Sequence, residues 1–109
     1  MSNQVNKVYS YLGLATRAGQ VVSGEEAVLG AVRRGKVVLL IISEDASANT
    51  HRKFRALAQN NNVKVIVYGE KNLIGQAMGK SPRAVVGIAD PNFANVIQES
   101  VGSQCGENN

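Results

Sequence analysis

The segment QVVSGEEAVLGAVRRGKVVLLIISED, Gln20 to Asp45, carries the punctuation of a strand, a helix and a second strand. Ser23-Gly24-Glu25-Glu26 has the form of a capping box, in which the Ser23 hydroxyl accepts from the Glu26 backbone N–H and the Glu26 carboxylate reaches back to the Ser23 N–H. Arg33 and Arg34 set cations against the negative end of the helix dipole, and Gly35 supplies the left-handed residue that follows a last turn. The expected buried face is Ala27, Val28, Ala31 and Val32. Gly30 lies mid-helix at a cost of about 1 kcal/mol relative to Ala, so either another backbone packs closely there or the helix bears the loss. Val37-Val38-Leu39-Leu40-Ile41-Ile42 is continuously apolar, as in a strand covered on both faces and set inside a sheet. The whole segment is a βαβ unit.

On the N-terminal side, Val5, Val8, Tyr9, Leu12 and Ala15 follow helical spacing from Gln4 to Arg17, with Gly19 as the stop. Gln20 to Val22 is then a short strand. On the C-terminal side, Ser43 to Ser47 is a turn in which Asp45 or Ser47 caps a helix running to about Asn60, with Phe54, Leu57 and Ala58 inward. Arg52, Lys53 and Arg55 fall on its outer side, where a solvated face is the more frequent explanation than a phosphate track. Val63 to Tyr68 alternates as a strand and Gly69 breaks it. Glu70 to Met78 is a short helix with Leu73, Ile74, Ala77 and Met78 inward, ended by Gly79. Ala84 to Ala89 is the last strand. Asp90-Pro91 opens a final helix with the stripe Phe93, Val96, Ile97 and Val101.

Strands alternating with helices in this way predict an α/β fold, a three-layer αβα sandwich around a sheet of about four strands. Residues 1–101 form a single domain on this reading, and residues 102–109, small and polar, a flexible tail.

Twelve Lys and Arg against eight Asp and Glu give a net charge of +4. Between Arg33 and Arg83 the count is ten basic residues to three acidic, so the excess sits in the middle of the chain. Such a balance invites a polyanionic partner. The lone Cys105 gives neither a disulfide framework nor a zinc spacing, which suits a reducing cytoplasm. No leader pattern and no run of about 18 apolar residues is present, so a membrane partner is not expected.

Catalytic and cofactor signatures are missing. Glu25-Glu26 and Glu44-Asp45 are adjacent acids of the kind found at helix starts and turns. Val22-Ser23-Gly24 lacks the flanking glycines of a nucleophile elbow. His51 has no second His or Cys nearby for a metal, and no dinucleotide or Walker glycine pattern precedes a helix. Neither cofactor nor metal is expected.

Leu12-Gly13-Leu14-Ala15-Thr16-Arg17-Ala18-Gly19-Gln20-Val21-Val22-Ser23-Gly24-Glu25, with Glu44-Asp45-Ala46-Ser47 and Gly75-x-x-x-Gly79, resembles the kink-turn RNA-binding ribosomal protein family typified by L-seven-Ae and L-thirty-e, and within it the small bacterial YlxQ-type members. The resemblance spans about Val5 to Ile97. It implies a mixed sheet, an αβα sandwich and binding to sharply bent RNA, ribosomal in several members, with no DNA partner. The family's signature Gly-x-Asn-Glu-x-Thr-Lys falls on Gly24, with its Asn on Glu26, its Glu on Ala27, its Thr on Leu29 and its Lys on Gly30. Only the glycine is kept. The implied RNA-contacting set is Ser23, Gly24, Glu25, Glu26, Ala27 and Gly30 at the helix, with Arg17, Arg33 and Lys36 for phosphates. Gly79, Lys80, Ser81, Pro82 and Arg83 join it as the loop that meets an extruded nucleotide, where Arg83 can stack and Lys80 can meet phosphate. The expectation is a non-catalytic binding protein for kink-turn-like structured RNA. The alternative is a regulatory or protein-interaction domain on the same fold, suggested by Glu26, Ala27 and Gly30.

Overall fold

The computed structural model describes residues 6–106. Gln4, Val5, the last three residues and the side chain of Cys105 lie outside the described residues. Five helices and four strands alternate: α1 (Lys7–Arg17), β1 (Val21–Ser23), α2 (Glu25–Arg33), β2 (Leu39–Ile42), α3 (Ala48–Asn60), β3 (Lys64–Val67), α4 (Lys71–Met78), β4 (Val85–Ile88) and α5 (Pro91–Gly106).

The sheet has the order β1-β4-β2-β3. β2 and β3 are parallel, and β4 runs antiparallel to both β1 and β2. The βαβ unit is therefore present, with β1 and β2 in the same direction, but β4 is inserted between them. The mixed sheet follows from that insertion.

β2 is buried along its whole length, and its alternation divides the core. Leu39 and Ile41 join Val8, Leu12, Ile74, Val86, Ile88 and Ile97 beneath α1, α4 and α5. Leu40 and Ile42 join Val28, Ala31, Val32, Phe54, Ala58 and Val85 beneath α2 and α3. Three layers result. Truncating the fully buried Phe54 to Ala removes an aromatic ring from the second cluster, a change that typically costs 3–5 kcal/mol.

Some expected positions differ. Ala27 is exposed, because the buried stripe of α2 is Val28, Ala31 and Val32, and Ala27 lies about 100° away around the helix. Leu73 is 41% exposed, since the inward row of α4 is Ile74, Gly75 and Met78. Helix α5 continues past Val101 to Gly106, so residues 102–106 are helical rather than tail. Gly102 at its interior costs only about 1 kcal/mol and no proline intervenes.

Helix ends follow the local chemistry. Asn6 caps α1 by accepting from the Val8 and Tyr9 N–H groups, and Ser47 caps α3 by accepting from Thr50. At the C-terminus of α2, Gly35 takes φ +74°, its N–H donating to Val32 O and that of Lys36 to Ala31 O, a Schellman closure. Asn62, at φ +57°, does the same for α3.

The register defines two opposite edges. Val21, Ile88, Leu39 and Lys64 form one row across all four strands. At the other end Ser23 pairs with Val86, and Ile42 with both Val85 and Val67. That second edge collects the N-termini of α2, α3 and α4 and the connection from α4 to β4. The first collects the C-termini of α1, α2 and α3.

Candidate nucleic-acid interface

Gly24 is the N-cap of α2, at φ +92° and ψ +148°, with no side-chain cap bond. A backbone conformation that side chains rarely adopt moves the helix start one residue beyond Ser23. The capping box consequently does not form. Ser23 ends β1, and its Oγ accepts from Arg83 Nε at 3.0 Å. Gly24 N–H donates to Val85 O at 3.1 Å, so the turn is fastened to β4. Glu25 is used internally: Thr50 Oγ1 donates to its Oε2 at 3.0 Å, and Lys53 Nζ lies 3.9 Å from its Oε1. Glu26 is exposed and makes no hydrogen bond or ion pair among the described residues.

The loop Gly79–Arg83 is folded back onto α4. Gly79 adopts the left-handed conformation at φ +72°, Lys80 N–H donates to Gly75 O at 2.8 Å, and Arg83 N–H donates to Lys71 O at 3.0 Å. Gly75 makes this approach possible, because a Cβ there would sit 2.2 Å from Ser81 O. Arg83 is half-buried. Besides its bond to Ser23, its Nη1 donates within the loop, 2.7 Å from Ser81 Oγ and 3.2 Å from the carbonyls of Ser81 and Pro82. The guanidinium is thus the rivet between the loop and the start of α2.

Neighbouring turns are braced in the same way. The N-terminus of α4 has no cap from its own Glu70; instead Asp45 Oδ1, from the turn after β2, accepts from Lys71 N–H at 3.0 Å. That N–H holds the Asp45 carboxyl below its usual range. Tyr9 Oη accepts from Glu70 N–H at 3.3 Å, and burial raises the Tyr9 phenol above its ordinary value.

Ser23, Gly24, Glu25, Glu26, Ala27 and Arg83 therefore share one edge of the sheet, and Gly79, Lys80, Ser81 and Pro82 lead back to it along α4. Arg17, Arg33 and Lys36 do not share it. They stand at or after the C-termini of α1 and α2, at the opposite edge, and Glu25 and Arg33, the first and last of the nine residues of α2, are about 12 Å apart in rise.

Gly30 lies between the two edges. No second backbone packs on it; the group in its place is the end of Arg34, whose Nη1 is 3.2 Å from where a Gly30 Cβ would be. Of the two alternatives at Gly30, the helix bears the loss at a partly exposed position, and Arg34 is a cation that the expected RNA-contacting set did not include. The available signal was its position one turn after Gly30.

The connections at the Gly24 edge carry five carboxylates, Glu25, Glu26, Glu44, Asp45 and Glu70, against Lys71, Lys80 and Arg83. A surface of that balance does not collect bare phosphate by charge alone. Among the described residues no group of three or more His, Cys, Asp or Glu could hold a metal, and no helix is long and apolar enough to cross a membrane.

Residues 6–98 match the model of the ribosomal protein L7Ae/L30e/S12e/Gadd45 family. The chain is 37% identical over 89 residues to RNA-binding protein YlxQ of Bacillus subtilis (strain 168), a stretch covering 82% of this chain and 89% of the relative. A Bacillus halodurans C protein of unknown function has a structure similar to this one at TM-score 0.85 and 37% identity, over 89% of this chain and 98% of that one. The Giardia lamblia 15.5kD RNA binding protein, at TM-score 0.72 and 24% identity over 94% of this chain and 90% of its own, shares the fold. With the family model spanning nearly the whole described chain and a relative of that identity, this protein belongs to the ribosomal protein L7Ae/L30e/S12e/Gadd45 family.

Proposed function

We propose that this protein is a non-catalytic, cytoplasmic RNA-binding protein that recognises kink-turn-like structured RNA, in association with the ribosome, through the edge formed by the start of α2 and the loop Gly79–Arg83. The observation that carries the reading is the joining of these two segments by the Arg83–Ser23 bond, which holds them side by side. The YlxQ relative's description as an RNA-binding protein supports the same class.

The chemistry suits bases better than phosphates. Because Gly24 offers no side-chain cap, the first N–H groups of α2 stay available to acceptors on RNA. The free carboxylate of Glu26 accepts paired donors such as guanine N–H groups, and it repels a phosphate chain. Such an edge discriminates RNA whose bases are turned outward from regular duplex. Arg34, lying over Gly30, supplies a cation on α2 where the family resemblance puts a lysine.

A second reading, a regulatory or protein-interaction domain, is favoured by the same five carboxylates and by the internal use of Glu25. Titration with an RNA carrying an extruded bulge nucleotide and with a matched plain duplex, at two salt concentrations, separates them. The RNA reading expects tighter binding to the bulged RNA, weakening as salt rises. Equal affinity for both RNAs, or none, supports the second reading.

A further inference from the structure

The opposite edge has a different electrostatic character. Arg17 and Arg33 close α1 and α2, Lys36 follows the Schellman turn of α2, and Lys64 opens β3. All four are exposed, and among the described residues no carboxylate lies within 4.0 Å of any of them. The connections of this edge contain a single acid, Asp90, whose Oδ2 is engaged by Phe93 N–H at the start of α5.

Dipole compensation explains part of the cluster but not all of it. Arg17 and Arg33 lie in last turns, where cations are favoured. Lys36 and Lys64 lie beyond any helix end, and the last turn of α3, at the same edge, has no basic residue. Nor are these cations needed as caps, because the Schellman bonds already satisfy the terminal carbonyls.

The row Val21–Ile88–Leu39–Lys64 spans four strands, or about 15 Å at the usual strand spacing. Beside Lys64 the edge continues into a shallow cleft of about 210 Å³ lined by Val38, Asn95 and Gln98 among others. Those amides are neutral donors of the sort that bond phosphate and sugar oxygens. Lys64 ends that row, and Arg17, Arg33 and Lys36 stand on the helix ends and the connection at the same edge; several cations at one edge, with amides beside them, suit the repeating charge of a nucleic-acid backbone.

We infer that this edge is a second RNA surface, which holds the phosphate backbone of a duplex independently of base sequence through Arg17, Arg33, Lys36 and Lys64. It goes beyond the function proposed above, resting on RNA as the partner but not on the Gly24 edge. Together the two edges would let one small domain clamp a bent RNA and an adjoining helical arm.

The test measures binding to a plain RNA duplex across a salt series for the full chain. It compares Lys36→Gln/Lys64→Gln and the version that adds Arg17→Gln/Arg33→Gln with Arg52→Gln/Arg55→Gln, which removes the same two charges from the outer side of α3. The expected result is a fall in the slope of log K against log salt of roughly 0.7 to 0.9 for each lost phosphate contact. The edge double should lose about tenfold in affinity at low salt and the quadruple more, with a much smaller effect from the α3 double. If the quadruple fails to fold, the edge double, which spares the helix ends, still decides. Equal losses from edge and α3 doubles would show diffuse net charge and overturn the inference, as would an edge double that binds like wild type. A wild type that binds no duplex also overturns it. Failure of the bulged-RNA preference alone overturns only the function proposed for the Gly24 edge.

Discussion

Arg83 Nε donates to Ser23 Oγ at 3.0 Å across 60 residues of sequence, and that bond ties the loop before β4 to the strand that leads into α2. The first prediction follows from it. Ser23→Ala and Arg83→Ala should each destabilise the fold by about 1 kcal/mol, and a double-mutant cycle should return a coupling of roughly 0.5 kcal/mol or more. Amide exchange at Arg83, whose N–H is bonded to Lys71 O, should quicken in both. Additive effects, measured by chemical denaturation, would mean that the bond contributes nothing.

Glycines on two helices should respond in opposite directions. Gly75→Ala brings a Cβ to 2.2 Å from a backbone oxygen of the Gly79–Arg83 loop, so the loop must leave its place, at a cost of about 1–3 kcal/mol. Gly30→Ala meets only the end of the Arg34 side chain, which can swing into solvent, and the helix gains up to about 1 kcal/mol. Thermal unfolding of the two variants decides the signs.

Glu26→Gln tests the helix start. A capping box would make this residue structural, but its carboxylate has no partner among the described residues. The melting temperature should therefore stay put, with a stability change within about 0.5 kcal/mol. Binding to bulged RNA should drop if the carboxylate accepts from guanine. Improved binding would show that its charge only repels the backbone.

Asp45 gives a pH dependence with a definite sign. Its carboxyl titrates below the ordinary 3.8 because Lys71 N–H bonds the charged form. Its contribution is thus complete above that ordinary value and disappears as pH falls through the lower, folded value. Asp45→Asn should flatten this part of the stability curve. Amide exchange at Lys71, followed from pH 5 downward, should show the start of α4 loosening in wild type before the core opens.

How far the fold could be read from the chain depended on whether the deciding contacts were local. The buried run Leu39–Ile42 and the closures at Gly35 and Gly79 lie within a few residues of what they control, and they were legible, although Val38, expected in the buried strand, precedes β2 and is exposed. The insertion of β4 between β1 and β2 is a pairing at long range, and only the family resemblance anticipated a mixed sheet. The α2 start was misassigned because Ser23-x-x-Glu26 fits a capping box, whereas the φ of Gly24 and the competing donor from Arg83 do not appear in a local pattern. Asp45 as the cap of α4, 26 residues away, was hidden for the same reason. Among the candidate site residues, those near Gly24 and Gly79 come to one edge. Arg17, Arg33 and Lys36 were grouped with them by charge, and charge carries no information about which end of a helix it occupies.

Amide exchange of the whole chain with and without a kink-turn RNA tests the central claim most directly, since it maps contact without altering a residue. Slowed exchange is expected at Glu25, Glu26 and Ala27 and at Lys80, Ser81 and Arg83, with matched plain duplex leaving these amides nearly unaffected. RNA binding that leaves both segments unprotected would contradict the account.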